Sequence, residues 1–146
     1  MTWFWIVLII AVDQITKILA AANGGIHQVI IPGFFSLNYL ENTGAAWSMF
    51  SNRTVLLTLI SAFAIGLMLW YLLTHKTDRW TKAALVLMIG GAAGNFIDRL
   101  CLSYVRDFLD FYIFGYDFPV FNVADMALTI GVIVLVIAAL KGDPKK

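Results

Sequence analysis

The stretch "FNVADMALTIGVIVLVIAAL" (residues 121–140) decides the fold. From Met126 onward it carries no charged side chain. Its length is about what a helix needs to cross a hydrocarbon core of roughly 30 Å. Its first turn, however, holds Asn122 and Asp125, which lipid disfavours. A local account is available. Asn122 fits the N-cap and Asp125 fits N3, while Phe121 and Met126 are spaced as a hydrophobic staple.

Three more stretches match it in length and character, at about 3–22, 54–73 and 83–100. With 61% hydrophobic residues in 146 and a mean hydropathy of +0.85, the chain reads as an integral membrane protein with one domain over 1–146. The expected class is all-α, with four transmembrane helices. "LAAAN" (19–23) resembles a signal-peptide cleavage site, but the first span lacks a basic start and is interrupted by Asp13, Gln14 and Lys17, so it is expected to stay.

Lys76, Arg79 and Lys82 crowd the second connection, and Lys141, Lys145 and Lys146 the tail. The other two connections hold Glu41, Asp107, Asp110 and Asp117. The positive-inside rule then places the 74–82 connection and both termini in the cytoplasm, with loops 25–52 and 102–120 outside. In the first outer loop, Val29–Ile31, the Pro32-Gly33 turn and alternating Phe35, Leu37 and Tyr39 predict a small antiparallel sheet. The second, rich in Phe and Tyr, is expected to lie along the interface. The glycine spacing in "GGAAGN" (90–95) suits close helix packing. Cys101 stands alone, so no internal disulfide is possible. A net charge of +1 without a basic block argues against a nucleic-acid partner.

The topology gathers the polar residues. Asp13 and Lys17 share a face of the first span and can pair. Asn95, Asp98 and Arg99 end the third span on the outer side, where Asn122 and Asp125 begin the fourth, and Asp107 lies between them. Each has a bland reading: Asp125 as a cap, Asp107 as a weak surface pair with Arg106 or Arg99. Their convergence at one depth favours chemistry. His75 is on the wrong side for a triad and a zinc set is missing; spacing alone leaves a Mg²⁺ or Ca²⁺ site from the acids open. Two aspartates sharing a proton and activating a water fit best, which would make the reaction an amide hydrolysis. The rivals are a transporter subunit with an intramembrane relay, and a chaperone or lipid-binding module.

"DQITK" (13–17), "NTGAAW" (42–47), "GGAAGNFIDR" (90–99), "VRDFLDF" (105–111) and "FNVAD" (121–125) resemble, in order, the signature blocks of the lipoprotein signal peptidases, signal peptidase II. The resemblance implies a bacterial inner-membrane aspartyl endopeptidase that cuts prolipoproteins before the diacylglyceryl-modified cysteine, with membrane lipid around it and no cofactor or metal. It implies four transmembrane helices with an extracytoplasmic β-cradle and a mobile interfacial helix. Asp107 and Asp125 fall on the catalytic dyad. Asn42, Gly44, Asn95, Arg99, Asn122 and Ala124 fall on positions that line the site or hold substrate. Asp13 and Lys17 match a supporting polar pair, and Asp98 reads as structural. Two features depart from the pattern: the N-terminus carries no Lys or Arg, and Trp47 stands where Phe is also frequent.

Overall fold

Helix α3 (Arg79–Leu102) organises the molecule, and its run of Gly90, Gly91, Ala92, Ala93 and Gly94 explains why. In the computed structural model, which describes residues 1–44 and 53–141, α1 (Thr2–Ala21), α2 (Thr54–Thr74) and α4 (Val123–Lys141) all pack against it. A Cβ at Gly90 would run into Ile9 of α1, and one at Gly94 into the Asp13 carboxylate. A Cβ at Gly91 would meet the Ala124 carbonyl of α4. The small residues thus receive α1 on one side and α4 on the other, as close helix approach in lipid requires.

Backbone at Gly91 cannot yield as a flexible side chain would. Gly91→Ala is therefore expected to destabilise the protein by about 1–3 kcal/mol, read as a lower unfolding temperature in detergent. Gly66→Ala on α2, where nothing lies within 4 Å of the new Cβ, is the control, expected to be unchanged or more stable by up to about 1 kcal/mol.

All four helices are long and apolar enough to cross a membrane. Side-chain distribution is inverted relative to a water-soluble globule. The largest fully buried side chains are Lys17, Asn122, Asp13, Asp98 and Asp107, while Leu59, Phe63 and Leu73 of α2 are exposed. Such outward apolar surface would be a liability in water and is matched by lipid. Apolar burial is concentrated nearer the α2–α3 connection, where Ile6, Leu85, Val86 and Ile89 form a cluster with Met68, Leu69 and Leu72 against it.

At the other end lies a four-stranded antiparallel sheet in the order β1 (His27–Ile31), β2 (Phe35–Asn42), β3 (Val105–Ile113) and β4 (Tyr116–Phe121). The expected first hairpin is present, turning at Pro32-Gly33-Phe34 with Gly33 at φ +72°. The aromatic connection corrects the expectation. Among the described residues no interfacial helix is found, and 105–121 forms the hairpin β3–β4. Its two-residue loop, Phe114-Gly115, has positive φ at both positions, the geometry that suits the twist of paired strands. Aromatic residues that anchor at a headgroup boundary also favour strands, and here Phe111 stacks on Phe35 and Phe121 across the sheet. Because α2 and α3 carry the chain away and back, β2 meets β3 antiparallel, with Leu40 opposite Asp107 and Asn42 opposite Val105. Trp47, the end of the first outer loop and the tail lysines Lys145 and Lys146 lie outside the described residues.

Candidate active site

Asp107 on β3 points from the sheet towards the helices and is 1% exposed. Its Oδ1 accepts from Asn122 Nδ2 at 2.6 Å and its Oδ2 from Asn42 Nδ2 at 2.9 Å. Asn42 ends β2, and its Oδ1 is taken by the Gly44 N–H at 2.9 Å, so its amide nitrogen is the group left to face the carboxylate.

Asp125 arrives from α4, and the capping box read from sequence is realised. The Asp125 N–H donates to Asn122 Oδ1 at 2.9 Å, and the Asn122 N–H donates to Asp125 Oδ2 at 3.2 Å. Asp125 Oδ1 also accepts from Asn95 Nδ2 at 2.7 Å. Asn95 has no choice of orientation, since its Oδ1 accepts from Lys17 Nζ at 2.9 Å and from Asn122 Nδ2 at 3.2 Å. Asn122 is thus bonded to both carboxyl groups. Asp107 and Asp125 line one cavity of about 820 Å³, together with Asn42, Asn95, Arg99 and the apolar Leu40, Phe118 and Met126. That is the scale of a site for a small molecule or a peptide segment.

The environment acts on the Asp107 carboxyl. Burial, and after it the neighbouring Asp125 carboxylate, push its pKa up to about 7, against the pull of the Asn42 and Asn122 hydrogen bonds. Arg99 faces both acids from α3. Its Nη2 donates to the Gly44 carbonyl at 3.1 Å. Its Nε is the one buried side-chain polar atom without a hydrogen-bond partner among the described residues.

Behind the carboxylates lies a layer of charge. Asp13 and Lys17 pair at 2.9 Å, as their spacing predicts, and both are fully buried. Asp13 Oδ1 also accepts the Ala124 N–H at 2.9 Å, fixing the first turn of α4. Lys17 lies 3.5 Å from Asp98. Asp98 ties the end of α3 to the start of β3. Its carboxylate accepts the backbone N–H of Arg106 and two bonds from that residue's guanidinium, at 3.0, 3.1 and 2.7 Å. The surface pair considered for Asp107 is therefore not made by Arg106.

The candidate site residues Asp13, Lys17, Asn42, Gly44, Asn95, Arg99, Asp107, Asn122, Ala124 and Asp125 are all brought to this region. Two that belong here were missed. Gln14 donates to Asp13, Asp98 and the Gly94 carbonyl and accepts from Arg106. Arg106 anchors β3 immediately beside Asp107. A polar Gln14 inside a span was the available signal for the first. Nothing in the local spacing points Arg106 at Asp98. Among the described residues no group of three or more His, Cys, Asp or Glu side chains is placed to hold a metal.

A protein-family model described as signal peptidase (SPase) II matches residues 5–141. The chain is 43% identical over 143 residues to the lipoprotein signal peptidase of Staphylococcus haemolyticus (strain JCSC1435), covering 96% of this chain and 90% of that one. It is also 43% identical over 143 residues to the lipoprotein signal peptidase of Streptococcus pyogenes serotype M5 (strain Manfredo), covering 94% and 91%. A solved structure described as a bacterial membrane enzyme, determined by the in meso method at 2.3 Å resolution, superposes with a TM-score of 0.89 at 35% identity, covering 99% of this chain and 93% of that one.

Proposed function

The chain belongs to the signal peptidase II family, a family of membrane-embedded proteases, and on that premise we propose that it removes signal peptides from diacylglyceryl-modified prolipoproteins as an aspartic endopeptidase. Cleavage falls before the lipidated cysteine. The observation that supports the mechanism is that two carboxyl groups from separate elements, β3 and α4, line one cavity and are both tied to Asn122, Asp107 through its side-chain amide and Asp125 through its backbone N–H.

Asp107 and Asp125 hold one proton between them. The ionised carboxyl takes a proton from the attacking water while the protonated one donates to the scissile carbonyl. Collapse of the tetrahedral intermediate returns a proton to the leaving amine, so no covalent enzyme intermediate forms. Asn42, Asn95 and Asn122 keep the pair oriented. Arg99, with Gly44 on its Nη2, presents its Nε towards the substrate backbone. Asp13, Lys17 and Ala124 act from behind, by holding the start of α4.

The bases of the α2–α3 connection and the tail support a cytoplasmic location for that side, with sheet and cavity at the extracytoplasmic face. Substrate lipid and signal helix then enter from the surrounding bilayer. The apolar cluster of Ile6, Leu85, Val86 and Ile89 counts against an ion relay, since the buried polar groups do not continue through it towards the other side.

The test is cleavage of a diacylglyceryl precursor by the purified protein, followed by mass spectrometry of both products. No cleavage, or equal cleavage of the unlipidated precursor, would refute the assignment. The pH dependence has a definite sign. Below about 7 the pair keeps its proton; above it both groups ionise and the acid is lost. With that apparent value belonging to the pair, kcat/KM should fall roughly tenfold per pH unit on the alkaline side.

A further inference from the structure

From the end that carries the α2–α3 connection, α1 and α4 stand on either side of α3 and leave a groove of about 750 Å³ between them, whose inner end shares Met126 with the carboxylate cavity. Its floor is Ala83, Val86 and Leu87 of α3. Its walls run along α1 from Thr2 to Val12, which at about 1.5 Å per residue is roughly 15 Å, half the thickness of a hydrocarbon core. The far end is closed by Val123 and Met126, where the Asp13 bond to the Ala124 N–H draws α1 and α4 together. The groove therefore has the depth of a single leaflet.

Its mouth is cationic. Arg79 and Lys82 line it, both exposed and neither in an ion pair among the described residues. The nearest acid in sequence, Asp78, is committed elsewhere: its carboxylate caps α3 by accepting the Trp80 and Thr81 N–H groups at 2.7 and 3.2 Å. Trp80 lies beneath two cations, Arg79 at 5.4 Å and Lys141 at 4.9 Å from its ring centroid. Trp80 does not line the groove, but next to Arg79 it adds an amphipathic aromatic held among cations, as residues at the headgroup level are.

We propose that this groove binds one anionic glycerophospholipid from the leaflet facing the α2–α3 connection. An acyl chain lies on Ala83 and Leu87, and the phosphate sits between Arg79 and Lys82. Charge selects the occupant: a zwitterionic lipid offers the same chains but places its own cation among these bases. The inference is independent of the proteolytic reading, because no residue of the groove mouth or floor belongs to the carboxylate site.

Native mass spectrometry of the purified full-length protein tests it, with dioleoyl phosphatidylglycerol and dioleoyl phosphatidylcholine as probes. The expected result is one bound phosphatidylglycerol, retained at about tenfold lower lipid concentration than phosphatidylcholine. The double variant Arg79→Gln/Lys82→Gln should lose that preference, a drop of about tenfold in phosphatidylglycerol retention, within what two cations near a phosphate supply. Ala83→Phe, which fills the floor, should weaken both lipids while thermal unfolding shows the variant folded. Equal retention of the two lipids by the wild-type protein would overturn the proposal. So would an undiminished preference in the double variant, or phosphatidylglycerol retention untouched by Ala83→Phe, which would place the anion on the surface outside the groove. A dimer abolished by Ala83→Phe would assign the groove to a second copy of the chain and overturn it equally.

Discussion

Asp107→Asn and Asp125→Asn are each expected to lower kcat/KM on a diacylglyceryl precursor by about 10³-fold, within the range a positioned acid or base supplies. In the proposed mechanism the two carboxyl groups act as one unit, so the double variant should be no slower than either single one. Asp125→Glu separates capping from chemistry. Glu at N3 still completes a capping box with Asn122, but an added methylene displaces the carboxyl from Asn95, and misplacement of about 1 Å can cost 10²-fold. A folded Asp125→Glu protein is thus expected to cleave about 10²-fold slower. Wild-type cleavage by any of these variants would remove the aspartates from the mechanism.

The same residue gives an independent reading through stability. The Asp107 carboxyl has its pKa raised from an ordinary 3.8 to about 7 by burial and then by Asp125. The folded protein therefore binds more protons than the unfolded chain between those values. Stability from this group is fully present below about pH 4 and is lost as pH rises through about 7. Asp107→Asn removes the titration. Its unfolding temperature relative to wild type should rise from pH 5 to about pH 7 and level off above it, while its cleavage stays lost. A residue kept for structure alone would not combine those two results.

Much of the fold was legible because membrane spans obey a simple length rule. The fourth span, read as 121–140, is helix from Val123 to Lys141, and its first turn is capped as the sequence indicates. The third was read four residues late, at 83. Hydropathy reports where lipid begins, whereas the helix begins where Asp78 caps it, among charged residues that no lipid criterion admits. The sheet was half legible. A hairpin is local and carries its turn residues with it, but the β2–β3 pairing joins segments separated by two whole helices. The site was legible as a set of positions because expensive polar groups converge at one depth. Its wiring was not. Arg106 turns to Asp98 across the left-handed Ser103 that ends α3, with φ of +69°, and that geometry has no signature in residue spacing.

Lys17→Met is expected to destabilise the protein by about 3–5 kcal/mol, the cost of leaving a buried charge without its partner. Lys17 is fully buried and meets Asp13 at 2.9 Å, Asp98 at 3.5 Å and Asn95 Oδ1 at 2.9 Å. With Arg106 included, the layer balances Asp13 and Asp98 against two cations, and removing one strands a carboxylate. Charge balance, more than shape, is what is lost, so Lys17→Met/Asp13→Asn should recover part of the unfolding temperature. The amide oxygen introduced at position 13 still accepts the Ala124 N–H. Activity should not recover in step. Without Lys17, Asn95 Oδ1 keeps only the 3.2 Å bond from Asn122, and its amide can turn its nitrogen away from Asp125. The double variant is expected to fold yet show a depressed kcat with little change in KM. Equal stability of Lys17→Met and wild type would mean that the neighbouring acids are neutral in the folded protein, and the charge-balanced layer behind the carboxylates would have to be abandoned.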